Sequence, residues 1–214
     1  ARTPAPSYRG SLSGASAPPL GATAIRGARN RAPVRGDKIE KVYMGNVVQA
    51  GVGQAPARQA TLFADIPSSV PASTVNKVCG SGMEAIILGS NDIRLGEAEL
   101  VVCGGMENMS LAPHLLPSGR SGIKFGQGEI KDSMQWDGLW DVYSDRPMGN
   151  CAEECVEKYQ LSREGMDELA IESFKRSQNA IKEGYFKNEI EPVVIKGRKG
   201  DVTVDEDEGP FKAC

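Results

Sequence analysis

Val75-Asn76-Lys77-Val78-Cys79-Gly80-Ser81-Gly82-Met83 is the stretch that decides the fold. The run from Val70 to Val75 reads as a short strand, with Pro71 favouring its start or a sheet edge. A cysteine and small residues follow. A helical pattern then continues to about Ile93, with Met83, Ile86 and Ile87 expected to face inward. A thiol at such a strand-to-helix junction meets the positive end of the helix macrodipole and unpaired backbone N–H groups, both of which favour the thiolate. Gly80 and Gly82 remove side chains that would block an approach to the sulfur. The backbone N–H of Cys79 is a candidate donor to a developing oxyanion. The same residues also fit a buried cysteine with glycines that serve tight packing.

Outward from this junction, helix and strand alternate. Residues 18–30 fit a helix, with Pro19 in its first turn and Leu20, Ala24, Ile25 and Ala28 along one face. Residues 41–48 alternate and are β-rich, which predicts a strand. Residues 55–65 read as a helix carrying Ala60, Leu62 and Phe63. Leu100 to Cys103 is an apolar run bounded by Gly104 and Gly105, the pattern of a buried strand. The alternation is that of an α/β layered domain. After Ser110 the texture changes. Residues 111–148 are rich in Gly, Pro, Trp and Met without a clear period. Residues 149–159 and 162–184 read as helices. Ser162 is the expected N-cap of the second, and Met166, Leu169, Ala170, Phe174 and Ile181 form its apolar stripe. Residues 192–195 predict a strand, and the acid-rich run 201–208 is expected to be solvated. The break in texture divides the chain into 1–109 and 110–214.

Composition sets the outer limits. The 214 residues are 40% hydrophobic and 25% charged, as in a globular protein able to bury a core without disulfide staples. A net charge of −3 provides no basic field for nucleic acid. Five cysteines, an odd number spread over positions 79, 103, 151, 155 and 214, point to a reducing compartment. A single histidine, His114, excludes any metal site with two histidine ligands from this chain. No apolar run approaches the ~18 residues of a membrane span, and Ala1 to Gly10 has no signal-peptide core. The first residues are Arg-rich, as in an organellar presequence, but read more like mature sequence. The chain starts without Met and stops abruptly, so both ends are expected to be cut from something longer.

The combination Asn76-Lys77-Val78-Cys79-Gly80-Ser81-Gly82 resembles the nucleophile motif of the thiolases, in particular the acetyl-CoA acetyltransferase (acetoacetyl-CoA thiolase) type. Other segments agree in order. Ala1-Arg2-Thr3-Pro4 looks like the end of that family's first strand. Residues 53–59 (Gly-Gln-Ala-Pro-Ala-Arg-Gln) and 104–110 (Gly-Gly-Met-Glu-Asn-Met-Ser) are similar to signatures flanking the nucleophile. Met148-Gly149 and the Gly-Arg-Lys-Gly-Asp run at 197–201 match the loop domain that follows.

The resemblance implies a layered αβα fold, its first strand incomplete, followed by an inserted α+β loop domain that covers coenzyme A and assists tetramer assembly. It makes Cys79 the nucleophile that carries the acyl group and places Leu139 and Met148 against the pantetheine and acyl pocket. Coenzyme A is then a substrate, and no cofactor and no metal is needed. The implied reaction is reversible cleavage of acetoacetyl-CoA, or condensation of two acetyl-CoA, within lipid metabolism. The expected setting is the cytoplasm or a mitochondrial matrix. The strand at residues 72–76 is expected to pair with its copy in a homodimer or homotetramer, with neither nucleic acid nor membrane as partner. The family's Gly-His-Pro histidine, second catalytic cysteine and Asn-Glu-Ala-Phe motif do not occur here, so this chain alone is expected to be inactive. Pro147 stands where short-chain members often have His, which keeps a 3-ketoacyl-CoA thiolase of broader chain length as an alternative. A non-catalytic fragment or interaction subunit is another. A ketosynthase acting on a carrier protein is disfavoured by residues 104–110.

The remaining candidates read as structural. His114, in an apolar Pro-bounded loop, is expected to be a bystander. Cys151 and Cys155 share a helix face but have no further ligands at zinc spacing. Cys103 is expected to be inert. Trp136 and Trp140 are expected to pack rather than cage a ligand. Arg198 and Lys199 form a short basic turn that either attracts CoA phosphates or is simply solvated.

Overall fold

The computed structural model describes residues 1–198 and 200–212; Lys199 of the basic turn and the terminal Cys214 lie outside the described residues. Three parallel strands form the central sheet: β1 (Lys41–Gly45), β2 (Ala72–Val75) and β3 (Val101–Gly105), in the order β2-β1-β3. In this register Gly45 lies between Val75 and Gly105. The two faces of β1 alternate as a pleated strand requires. Val42 and Met44 point into a core shared with α1 (Ala17–Arg31) and α2 (Pro56–Phe63), built from Ala17, Ala22, Ile25, Ala57, Ala60 and Ala64. Tyr43 and Gly45 face α3 (Ser81–Leu95) on the other side, where the Tyr43 hydroxyl donates to Asp92 Oδ2 at 2.9 Å. Helices thus cover both faces of a parallel sheet, the layered α/β architecture expected.

Burial differs from expectation in three places. Met83, Ile86 and Ile87 do not face inward; they are 70%, 57% and 45% exposed. The stripe of α3 that meets the sheet is Ser81, Ala85 and Gly89. A Cβ on Gly89 would come within 2.3 Å of Cys103 Sγ, so the helix lies too close to the sheet for large side chains to fit between. The strand beginning near Leu100 is half-buried rather than buried, because β3 is an edge of the sheet. Of the predicted α1 stripe Leu20 and Ile25 are buried and Ala24 is half-buried, but Ala28 is exposed, and Gly21 and Gly27 turn inward in its place.

The second part of the chain is built from short pieces. β4 (His114–Leu115) pairs with β5 (Lys131–Asp132), and α4 (Ser133–Gly138) follows directly. β6 (Trp140–Asp141) pairs with β7 (Arg146–Pro147). Two helices follow, α5 (Met148–Tyr159) and α6 (Arg163–Lys182); Ser162 caps α6 by accepting from Gly165 N at 3.1 Å. β8 (Val193–Ile195) pairs with β9 (Val202–Val204), and α7 (Gly209–Lys212) ends the described chain. The apolar stripe of α6 is largely open, with Leu169 70% exposed.

The acid-rich run is not simply solvated. It contains β9, and Asp207 is buried. Asp207 takes a two-point contact from the Arg2 guanidinium at 2.7 and 2.8 Å and a third bond from Ala5 N. Arg2 holds the Asp207 carboxyl below the usual carboxylate range. Glu208 accepts from Ser7 N and Ser11 N. These bonds tie the two ends of the described chain together.

Candidate active site

The carboxyl ends of all three parallel strands open on one cavity of about 380 Å³. Gly45 to Val48 enter from β1, Val78 and Cys79 from the β2-to-α3 junction, and Gly105 to Glu107 from β3. Met109, Gly138 and Leu139 close the remaining side. Ligands of open parallel sheets bind at this end of the strands.

Cys79 is exposed in this cavity, two residues before α3 begins. The chain reaches α3 from β2 through a turn with an unusual residue: Val78 has φ 47°, in the left-handed region that β-branched residues avoid. Its N–H donates to Asn76 Oδ1 at 3.0 Å. Its carbonyl accepts from Ser81 N at 3.0 Å and from Ser81 Oγ at 2.6 Å. Ser81 Oγ in turn accepts from Lys77 N at 2.9 Å. Lys77 pairs with Glu84 on the first turn of α3 at 2.6 Å. The N-cap of α3 is Gly80, with no side-chain cap on the first-turn N–H groups.

The opposite wall centres on Glu107. Its Oε2 accepts from Val47 N at 2.8 Å, and its Oε1 accepts from Asn46 Nδ2 at 2.8 Å and Val48 N at 3.3 Å. Burial nevertheless pushes its carboxyl above the ordinary glutamate value, against the effect of those bonds. Asn46 also donates to the Met106 carbonyl at 3.1 Å, and its Oδ1 is buried without a partner among the described residues. In the sequence Glu107 and Asn46 stand out only as parts of longer runs. The bond from a carboxylate to backbone N–H groups sixty positions away leaves no periodic signal.

Of the pocket residues expected beside the thiol, Leu139 lines the cavity and Met148 does not. Met148 joins it indirectly, donating its backbone N–H to the Leu139 carbonyl at 2.9 Å. His114 is exposed on β4, outside the cavity. Cys103 is half-buried, and desolvation pushes its thiol up. Cys151 Sγ lies 3.9 Å from Asp141 Oδ2, while Cys155 is exposed. No group of three or more His, Cys, Asp or Glu among the described residues is arranged to hold a metal ion. Trp136 and Trp140 stack with centroids 6.0 Å apart, and Lys131 Nζ sits over the Trp136 ring. No helix among the described residues is long and apolar enough to cross a membrane.

Comparison with known proteins gives this geometry a context. The family model described as the N-terminal domain of thiolase matches residues 1–213. A mitochondrial acetyl-CoA acetyltransferase of Aspergillus fumigatus is 50% identical over 209 residues, covering 98% of this chain and 48% of its own length. An acetyl-CoA acetyltransferase of Cupriavidus necator is 49% identical, covering 94% of this chain and 51% of its own. Acetyl-CoA acetyltransferase 2 of Arabidopsis thaliana is also 49% identical, covering 98% and 52%. The chain spans about half the length of the curated relatives it matches.

Proposed function

The chain belongs to the thiolase family, and on that premise we propose that it supplies the acyl-carrying half of an acetyl-CoA acetyltransferase. Cys79 is the nucleophile. In the degradative direction its thiolate attacks the 3-oxo carbonyl of acetoacetyl-CoA and the Cys79 Sγ–acyl bond forms. The bond between C2 and C3 breaks, and the departing carbon takes a proton to become acetyl-CoA. A second coenzyme A thiol then takes the acyl group, which restores the Cys79 thiol. Condensation of two acetyl-CoA runs the same steps in reverse. The Cys79 N–H is the proposed donor to the oxyanion. Leu139 lines the acyl side of the cavity, with Met148 behind it, and coenzyme A is substrate rather than cofactor.

One observation carries this reading: an exposed thiol ahead of a 15-residue helix, in a cavity formed by the carboxyl ends of three parallel strands. The names of the relatives support the acetyl substrate. By resemblance to the family, the groups that move the proton belong to the remainder of a longer protein, and on this reading turnover belongs to that protein and the chain alone is inactive. We place residues 1–109 in the nucleophile domain and 110–214 in the covering loop domain of a homodimer or homotetramer. The cytoplasm or the mitochondrial matrix is the proposed compartment.

Limiting iodoacetamide with peptide mapping tests the assignment. Cys79 is expected to label faster than Cys103, Cys151, Cys155 and Cys214, and acetyl-CoA is expected to protect it. Cys155 is the informative control, because it too is exposed. Equal labelling of Cys79 and Cys155 would count against an activated nucleophile.

A further inference from the structure

We propose that Asn76 and Ser81 are positioning residues that hold Val78 in its left-handed conformation and thereby aim the Cys79 thiol. The inference rests on the reading of Cys79 as nucleophile.

Val78 is the residue immediately before the reacting sulfur. Its φ of 47° is unfavourable for any L residue and most of all for a β-branched one. Burial does not compensate, since Val78 is 48% exposed. What holds it is polar and local. Asn76 Oδ1 accepts the Val78 N–H, and Ser81 Oγ donates to the Val78 carbonyl while accepting the Lys77 N–H. The peptide groups on both sides of the strained torsion are therefore fixed by side chains. Ser81 is itself immobilised: it is 4% exposed and pressed against Gly45 of β1, where an added Cβ would lie 2.8 Å from the Ser81 Cβ. The clamp is anchored to the sheet, and Cys79 is the next residue along the chain. Releasing either side chain lets Val78 relax toward negative φ, which swings Cys79 away from the cavity wall.

The test uses the complete protein and measures the alkylation rate of Cys79 relative to Cys155, whose exposed position on α5 makes it an internal standard. Ser81→Ala and Asn76→Ala are expected to lower that ratio by roughly five- to fifty-fold, the scale set by a displacement of up to about 1 Å. Asn76→Ser keeps a weaker acceptor two residues before Val78, so it is expected to recover most of the loss; a bond that only stabilised the fold would restore melting temperature without restoring the ratio. Val78→Gly removes the strain that the clamp opposes. In that background Ser81→Ala is expected to cost less than two-fold, a coupling between neighbours that a double-mutant cycle reads directly. The proposal is overturned if Ser81→Ala leaves the ratio within two-fold, if Asn76→Ser behaves as Asn76→Ala, or if the Ser81→Ala loss is the same with Gly at 78. A wild-type Cys79 no faster than Cys155 would overturn the nucleophile reading instead, while the response of the ratio to the variants still decides the clamp.

Discussion

Gly45→Ala is the substitution through which the packing of α3 and the placement of Cys79 can be tested together. A Cβ at Gly45 would lie 2.7 Å from the Ser81 carbonyl carbon and 2.8 Å from both Gly82 N and Ser81 Cβ. Ordinary contact begins near 3.4 Å, so the first turn of α3 must retreat by about 3.4 − 2.7 = 0.7 Å. No rotamer offers an escape, because the atoms in the way are mainly backbone. Gly45 cannot yield either: it is paired with Val75 and Gly105 on both sides, and its carbonyl accepts from Met106 N at 2.9 Å. Overpacking of this kind costs about 1–3 kcal/mol, and the rigidity of both partners puts Gly45→Ala toward the upper end. The retreat also carries Cys79, two residues before Ser81, so its alkylation is expected to slow by roughly ten-fold. Gly89→Ala is the matched control. Its added Cβ meets side-chain atoms, Cys103 Sγ at 2.3 Å and Val101 Cγ1 at 3.0 Å, and it lies about 12 Å along the helix from Ser81. Gly89→Ala should destabilise while leaving Cys79 reactivity unchanged. Denaturant unfolding and Cys79 alkylation on the two variants separate these outcomes. A Gly45→Ala protein within about 0.5 kcal/mol of wild type, with unaltered Cys79 alkylation, would refute the close contact between β1 and α3.

One buried carboxylate, Asp207, and one half-buried carboxylate, Glu107, should move stability in opposite directions with pH. Asp207 has its folded value lowered by Arg2, so its contribution is present above the unfolded carboxylate value of about 4 and is lost as pH falls through the folded one; Asp207→Asn should flatten that acid limb in a pH series of melting curves. Glu107 has its folded value raised by burial, so its contribution is present below about 4.3 and is lost as pH rises through the folded value. Glu107→Gln should remove that loss while costing about 1–3 kcal/mol at low pH, because an amide donor then faces Val47 N–H or Asn46 Nδ2; a pH-independent difference between wild type and Glu107→Gln would contradict the burial effect.

Much of this arrangement is legible in the sequence, and the parts that are not share a cause. The strands at 41–45, 72–75 and 101–105 and the helices at 17–31, 81–95 and 163–182 announce themselves by period and by punctuation such as Ser162. The Cys79 junction is legible because a strand, a thiol, small residues and a helix follow one another within a few positions. Hydrophobic periodicity points to the largest side chains, Met83, Ile86 and Ile87, and so gives the wrong face of α3. α3 lies so close to the sheet that only its smallest residues fit against it. Glu107 and Asp207 carry no local signal because each serves backbone or side-chain groups that are distant in sequence: Val47 and Val48 in one case, Arg2 and Ala5 in the other. Neither contact has a local pattern.

The small-residue stripe of α3 and the strained turn before it answer the same geometric demand. The polypeptide leaves β2 at Val75, and by Ser81 it must be running as a helix across β1. Only residues 76–80 are available to make that reversal. If large side chains separated α3 from the sheet, the helix would sit higher, its N-terminus would lie farther from the carboxyl ends of the strands, and an ordinary turn could span the gap. Ser81, Ala85 and Gly89 against Gly45 and Cys103 bring the helix down instead. The close approach shortens the path, and along it Val78 takes the positive φ that Asn76 and Ser81 hold. Cys79 then emerges at the level of Gly45 and Gly105, in the cavity wall rather than above it. Filling the interface and relaxing the turn are therefore expected to damage the same function, the first by raising the helix and the second by freeing the residue that points the thiol.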